Sequence, residues 1–86
     1  MYSIEFLDKA KQFLKKLDKS AAERIIEKIE KLQENPVPSD AVFIGRENGH
    51  KVFRGRVGAY RYLYMLKDSE KKILVTKVDK RPRVYD

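Results

Sequence analysis

The chain has no cysteine, one histidine, four glycines and three prolines among its 86 residues. Without cysteine there is neither a disulfide framework nor a thiolate metal site. The single histidine, His50, excludes a multi-histidine metal centre and a two-histidine nuclease, and beside Gly49 in a polar turn it reads as a surface residue. No apolar run approaches the roughly 18 residues that a membrane span needs, and Glu5 and Asp8 interrupt the first apolar stretch. The expectation is a soluble, cytoplasmic protein without membrane contact. The glycines form no phosphate-binding loop of recognised spacing, and the acids are scattered over helix surfaces and turns, which leaves no paired carboxylates for acid–base hydrolysis. Nothing calls for a cofactor or a metal ion. There is no internal repeat and no low-complexity segment.

What is abundant is positive charge. The chain carries 20 Lys and Arg against 13 Asp and Glu, a net charge of +7. Residues 1–40 hold 8 of each sign, whereas residues 41–86 hold 12 cations against 5 anions, so the second half carries the whole excess. A basic imbalance confined to one part of a small protein is the footprint of nucleic-acid binding, and it equally suits an acidic protein partner. The length fits a single domain, residues 1–86, whose core is too small to leave much stability margin.

The organising stretch is Val52-Phe53-Arg54-Gly55-Arg56-Val57-Gly58-Ala59-Tyr60-Arg61-Tyr62-Leu63-Tyr64. Gly58 at the first central position of a two-residue loop predicts a type II′ hairpin. Counting outward, Val57 opposes Tyr60, Arg56 opposes Arg61, Gly55 opposes Tyr62, Arg54 opposes Leu63 and Phe53 opposes Tyr64. Alternation then puts Phe53, Gly55, Val57, Tyr60, Tyr62 and Tyr64 on one face, with the bare glycine making room for a tyrosine ring. The other face receives Arg54, Arg56 and Arg61. Like charges directly across a strand pair repel, so these arginines either splay into water or receive an anion. Three on one face favour the anion, and a phosphate suits the guanidinium fork.

Upstream, Tyr2, Ile4 and Phe6 alternate as a strand. Asp8 is placed to cap a helix carrying Ala10, Phe13, Leu14 and Leu17 at helical spacing. Ser20-Ala21-Ala22-Glu23 has the form of a capping box, opening a second helix with Ala22, Ile25, Ile26, Ile29 and Leu32 as its buried stripe. Asn35-Pro36 ends it. With so short a link between them the two helices form an antiparallel hairpin. Ala41-Val42-Phe43-Ile44 is either a short strand or a covered loop, Glu47-Asn48-Gly49 is a turn, and Ile73 to Val78 is the last strand. The expected fold is α+β: an antiparallel sheet of about four strands with the helical hairpin on one face and the arginine face left open.

Chemistry without metal or histidine pairs narrows to RNA cleavage in which the 2′-hydroxyl attacks the neighbouring phosphate. That reaction needs charge stabilisation of the pentacoordinate transition state, a proton acceptor for the 2′-hydroxyl and a proton donor for the leaving oxygen. Arginine supplies the first; guanidinium hardly ever deprotonates, so it does not supply the second.

The array VFRGRVGAYRYLY, preceded by a helix ending in KLQENP and followed by VTKVDKRPRVY, resembles the RelE/ParE superfamily of bacterial and archaeal toxins, and the RelE branch in particular. The likeness runs from the Tyr2-Ile4-Phe6 strand to Tyr85. It implies a ribosome-dependent, metal-independent endoribonuclease that cuts mRNA in the A site, an mRNA interferase held inactive by a RelB-like antitoxin. It also implies that Arg54, Arg56, Arg61, Arg81 and Tyr85 form the site, with Arg61 and Arg81 on the scissile phosphate and Tyr85 stacking on a base. Well-understood members carry lysine at the first two positions, one of them implicated in taking the 2′ proton. Here both are arginine, which leaves Lys51, Lys80 or Tyr85 as stand-ins for the base, or orientation and neutralisation of the phosphate charge as the source of most of the rate. Two other readings share the hairpin: a ParE-like toxin that inhibits DNA gyrase, and a basic module that binds RNA without cutting it.

Overall fold

One irregular residue in the last strand decides which side chains meet on each face of the sheet. The computed structural model describes residues 1–80; Arg81 and Tyr85, two of the expected site residues, lie outside them. The described chain runs β1 (Ser3–Phe6), α1 (Asp8–Lys16), α2 (Lys19–Glu30), a single 3-10 turn (Lys31–Gln33), β2 (Val42–Glu47), β3 (His50–Val57), β4 (Tyr60–Lys67) and β5 (Lys72–Lys80). The strands form one sheet in the order β1-β5-β4-β3-β2. The α+β architecture is as expected, with five strands among the described residues rather than about four. The sheet is also not wholly antiparallel, because β1 pairs with β5 in parallel, Ile4 opposite Ile73 and Phe6 opposite Val75. A first strand separated from its sheet neighbour by both helices and three further strands is not held to an antiparallel hairpin and is free to run parallel.

The hairpin register holds at every position: Val57 opposite Tyr60, Arg56 opposite Arg61, Gly55 opposite Tyr62, Arg54 opposite Leu63 and Phe53 opposite Tyr64. Gly58 has φ +56° and Ala59 has no positive φ, as the type II′ turn requires. Asn48 and Gly49 both have positive φ, at 52° and 82°, and join β2 to β3 as a second hairpin. Asn-Gly is the strongest short-range hairpin signal. It settles the alternative at Ala41–Ile44 in favour of a strand, and an exposed one, since Val42, Phe43 and Ile44 are each about half accessible.

The core lies between the helices and one sheet face. Ile25, Ile29, Tyr64, Ile73 and Val75 have no exposed surface. The rings of Phe53 and Tyr64 stack at 5.6 Å, and those of Tyr62 and Tyr64 at 6.0 Å. A Cβ on Gly55 would sit 2.2 Å from Cζ of Tyr62. The glycine therefore makes room for that ring, as the alternation predicts. Tyr64 Oη donates to the Pro36 carbonyl at 2.6 Å, tying the connector after the helices to the sheet.

Both helix starts differ from expectation. Leu7 occupies the cap position of α1 with no side-chain bond, and Asp8 is its first helical residue, where it meets the helix dipole instead of capping. α2 is capped by Asp18, whose carboxylate accepts from Ala21 N at 3.1 Å. The Ser20 capping box does not form because the helix has already begun at Lys19. Ile25, Ile29 and Leu32 are inward as expected, but the stripe is centred on Ala21 rather than Ala22, and Ala22 and Ile26 are half-buried. Asp18→Ala should therefore cost about 1 kcal/mol, and Ser20→Ala close to nothing, in urea denaturation; equal losses would restore the capping box.

Burial pushes the Tyr62 phenol up to about 12 and that of Tyr64 upward as well. Tyrosines of an unfolded chain ionise near about 10, so the folded chain keeps protons that the unfolded one releases. The stability these groups contribute is fully present below about pH 10 and is lost as pH rises towards about 12. In carbon NMR of the tyrosine rings, Tyr62 and Tyr64 should stay phenolic until the chain unfolds in alkali. Ionisation of either in the native state would contradict their burial.

Candidate functional site

β3 and β4 carry Arg54, Arg56 and Arg61 on the face away from the helices, alternating with the buried Phe53, Gly55 and Tyr62. Arg54 and Arg56 line a cleft of about 440 Å³ together with Val42 and Asp40. The cleft opens where β2 begins: Val42 is the register partner of Arg54, and no strand continues β2 beyond it to cover Arg56. Arg54 Nε is buried there without a hydrogen-bond partner among the described residues. A buried donor left unpaired costs about 1–3 kcal/mol, so the cleft holds a cation short of an acceptor. Among the described residues no carboxylate comes within ion-pair distance of Arg54 or Arg56.

Arg61 is different, and here the picture of three uncompensated guanidinium groups needs correction. Its Nε donates to Asp79 Oδ1 at 2.8 Å, and Lys77 Nζ lies 3.4 Å from the other carboxylate oxygen. The cause is the irregularity in β5. Between Leu63 and Tyr64 on β4 the register shifts, so Tyr64 opposes Val75 while Leu63 opposes Lys77, Tyr62 opposes Val78 and Arg61 opposes Asp79. Thr76 is the extra residue of this bulge. Strict alternation from Ile73 and Val75 would send Lys77 and Asp79 towards the helices; the bulge turns Val78 inward and puts both charged residues on the arginine face. The strand also runs to Lys80, two residues past its expected end. A pair of this kind, a quarter to a third exposed, contributes about 0.2–1 kcal/mol, too little to bar an anion from Arg61.

Two of the three stand-ins for a general base fall elsewhere. Lys51 shares the face of Phe53 and Gly55, opposite Leu66, and lines a separate cleft with Arg46 and His50. Lys80 opposes Tyr60, also on the helix side. Tyr85 lies outside the described residues. Asp40 was missed by the sequence reading. It sits in the arginine cleft and bonds Lys28 Nζ at 2.6 Å. That hydrogen bond holds its carboxyl below the usual range, so it is an anion at neutral pH. No local signal could reveal it, because the connector 36–41 reaches the cleft only through tertiary contacts. The helices offer no membrane-crossing segment among the described residues, and the same residues contain no cluster of metal-ligating side chains.

A family model described as the ParE toxin of the type II toxin–antitoxin system parDE matches residues 4–85. The chain belongs to this RelE/ParE family of toxins. Within the superfamily the toxin sides with the RelE branch. It is 29% identical over 85 residues to a toxin named RelE1 from Methanocaldococcus jannaschii, covering 98% of this chain and 94% of that one. Its fold superposes on a chain of the archaeal RelE–RelB complex of Pyrococcus horikoshii with a TM-score of 0.85 and 26% identity, covering 95% of this chain and 97% of that one. For the RelBE2 toxin–antitoxin complex of Mycobacterium tuberculosis the TM-score is 0.77 at 27% identity, with 93% and 98% covered.

The unpaired Nε gives this toxin a stability cost at its own cleft. Arg54→Met keeps the aliphatic stem and removes the orphaned donor, so it should raise folding stability by roughly 1 kcal/mol in urea denaturation. A loss of stability would mean that the group finds an acceptor in solution.

Proposed function

We propose that this toxin is an endoribonuclease that cuts mRNA on the ribosome, in the A site, through attack of the 2′-hydroxyl on the adjacent phosphate. The observation that carries this reading is the direct cross-strand opposition of Arg56 and Arg61 beside Arg54, whose Nε lacks an acceptor among the described residues. Three guanidinium groups on one open sheet face suit a phosphodiester whose charge grows in the transition state. Arg54 and Arg56 hold the phosphate in the cleft, and Arg61 stabilises the pentacoordinate centre. Arg81 and Tyr85 join them by family likeness, as a second phosphate ligand and a base-stacking ring. The chemistry needs neither metal nor cofactor. With neither Lys51 nor Lys80 on the arginine face, solvent water takes the 2′ proton and protonates the leaving 5′ oxygen, and most of the rate rests on orientation and charge neutralisation.

A RelB-like antitoxin fits the same surface. Relatives solved as RelE–RelB and RelBE2 complexes support such a partner. β2 offers it an edge that is unpaired among the described residues, with Val42, Phe43 and Ile44 exposed, the kind of edge on which a partner chain adds a strand or lays an apolar helix. Acidic side chains on that partner would cover the arginines.

The description of the matching family model favours a second reading, a ParE-like inhibitor of DNA gyrase. Translation in vitro with added toxin and mapping of message ends separates the two. Cuts at A-site codons are expected, with Arg61→Ala lowering the cleavage rate by about 100-fold or more. Intact message together with inhibition of gyrase supercoiling would replace the endoribonuclease by the gyrase inhibitor. Salt-sensitive RNA binding with neither effect would leave only a binding module.

A further inference from the structure

We infer that Asp79 is a positioning residue for Arg61, an inference that rests on the endoribonuclease reading and adds to it a residue that touches no substrate. The bulge at Thr76 delivers Asp79 directly opposite Arg61. Its Oδ1 takes the Nε–H at 2.8 Å, and Lys77 faces Oδ2 at 3.4 Å, so the carboxylate is itself held from a second side. Which nitrogen it binds matters. A carboxylate gripping both terminal nitrogens would block the fork. Bound at Nε, it leaves the terminal N–H groups without a partner among the described residues, and these are the donors for a bidentate phosphate contact.

Arg61 also needs the hold. Its strand partner Arg56 is a like charge directly across the ladder, and without Asp79 the two guanidinium groups would swing apart. Asp79 fixes one of them, a quarter to a third exposed as the pair is, so that little ordering is left for the moment of reaction. Its negative charge also opposes ground-state binding of RNA. The expected effect of removing it is thus a fall in rate with no fall in affinity.

Three proteins test this: wild type, Asp79→Ala and Asp79→Asn, the last keeping an acceptor oxygen without the charge. In message cleavage on ribosomes, Asp79→Ala should lower kcat about 10-fold or more, since small misplacements of a positioned group cost up to about 100-fold, while KM stays level or falls. Asp79→Asn should recover most of the rate. In proton–nitrogen NMR of the arginine side chains, the Arg61 Nε–H should be protected from exchange in wild type and Asp79→Asn and lost in Asp79→Ala. Titration with inorganic phosphate should shift the wild-type Arg61 signals without displacing that Nε–H bond. Cleavage by wild type and Asp79→Ala at equal kcat would overturn the inference and leave the endoribonuclease standing. Loss of the protected Nε–H when phosphate binds would also overturn it, making Asp79 a competitor of the anion. Uncut message with the NMR behaviour as described would overturn the endoribonuclease reading alone, leaving Asp79 as the residue that orients an anion-binding arginine.

Discussion

The Tyr62 ring lying over Gly55 is the constraint from which the rest of the sheet follows. Only a residue without Cβ accepts that ring, since the added carbon would fall 2.2 Å from it. The contact fixes the pairing of β3 with β4, because a slip of one residue would bring an arginine against the ring and send the whole apolar set to the other face. Once Gly55 and Tyr62 are opposed, Arg56 and Arg61 are opposed as well. The buried aromatic stack of Phe53, Tyr64 and Tyr62 and the exposed cationic pair are the two sides of one register.

Electrostatics on the open face are uneven, and the unevenness is structural. Arg54 and Arg56 sit in a cleft whose one carboxylate, Asp40, is already bonded to Lys28. Arg61 has a carboxylate of its own. One part of the surface is therefore short of negative charge, while another holds a guanidinium by its Nε, with its terminal nitrogens unpartnered among the described residues. An anion spanning both parts meets attraction from the first and geometry from the second. Such a division suits a reaction in which charge develops during bond formation better than it suits tight static binding.

Much of this was legible along the chain. Gly58, the alternating tyrosines and the spaced arginines specify the central hairpin by period and turn chemistry, both local properties. The isoleucine stripe of α2 specifies its inward face in the same way. Local signals failed where two of them compete within a few residues. Asp18 and Ser20 are both good caps, and the choice between them depended on where packing began the helix. Asn48-Gly49 signals a hairpin plainly enough, but the strand it implies, β2, is apolar and exposed, against the usual pattern of burial.

What the order of residues determined by itself is the hairpin, its register and the segregation of arginines from aromatics, because turn type and two-residue periodicity act between near neighbours. What only the tertiary structure decided is which other groups reach those arginines. The parallel pairing of β1 with β5, the bulge at Thr76 that turns Asp79 towards Arg61, and the connector that brings Asp40 into the cleft all join segments distant in the chain. Their placement follows from filling one core with Val75, Val78, Tyr62 and Tyr64 at once, and no local pattern encodes that packing.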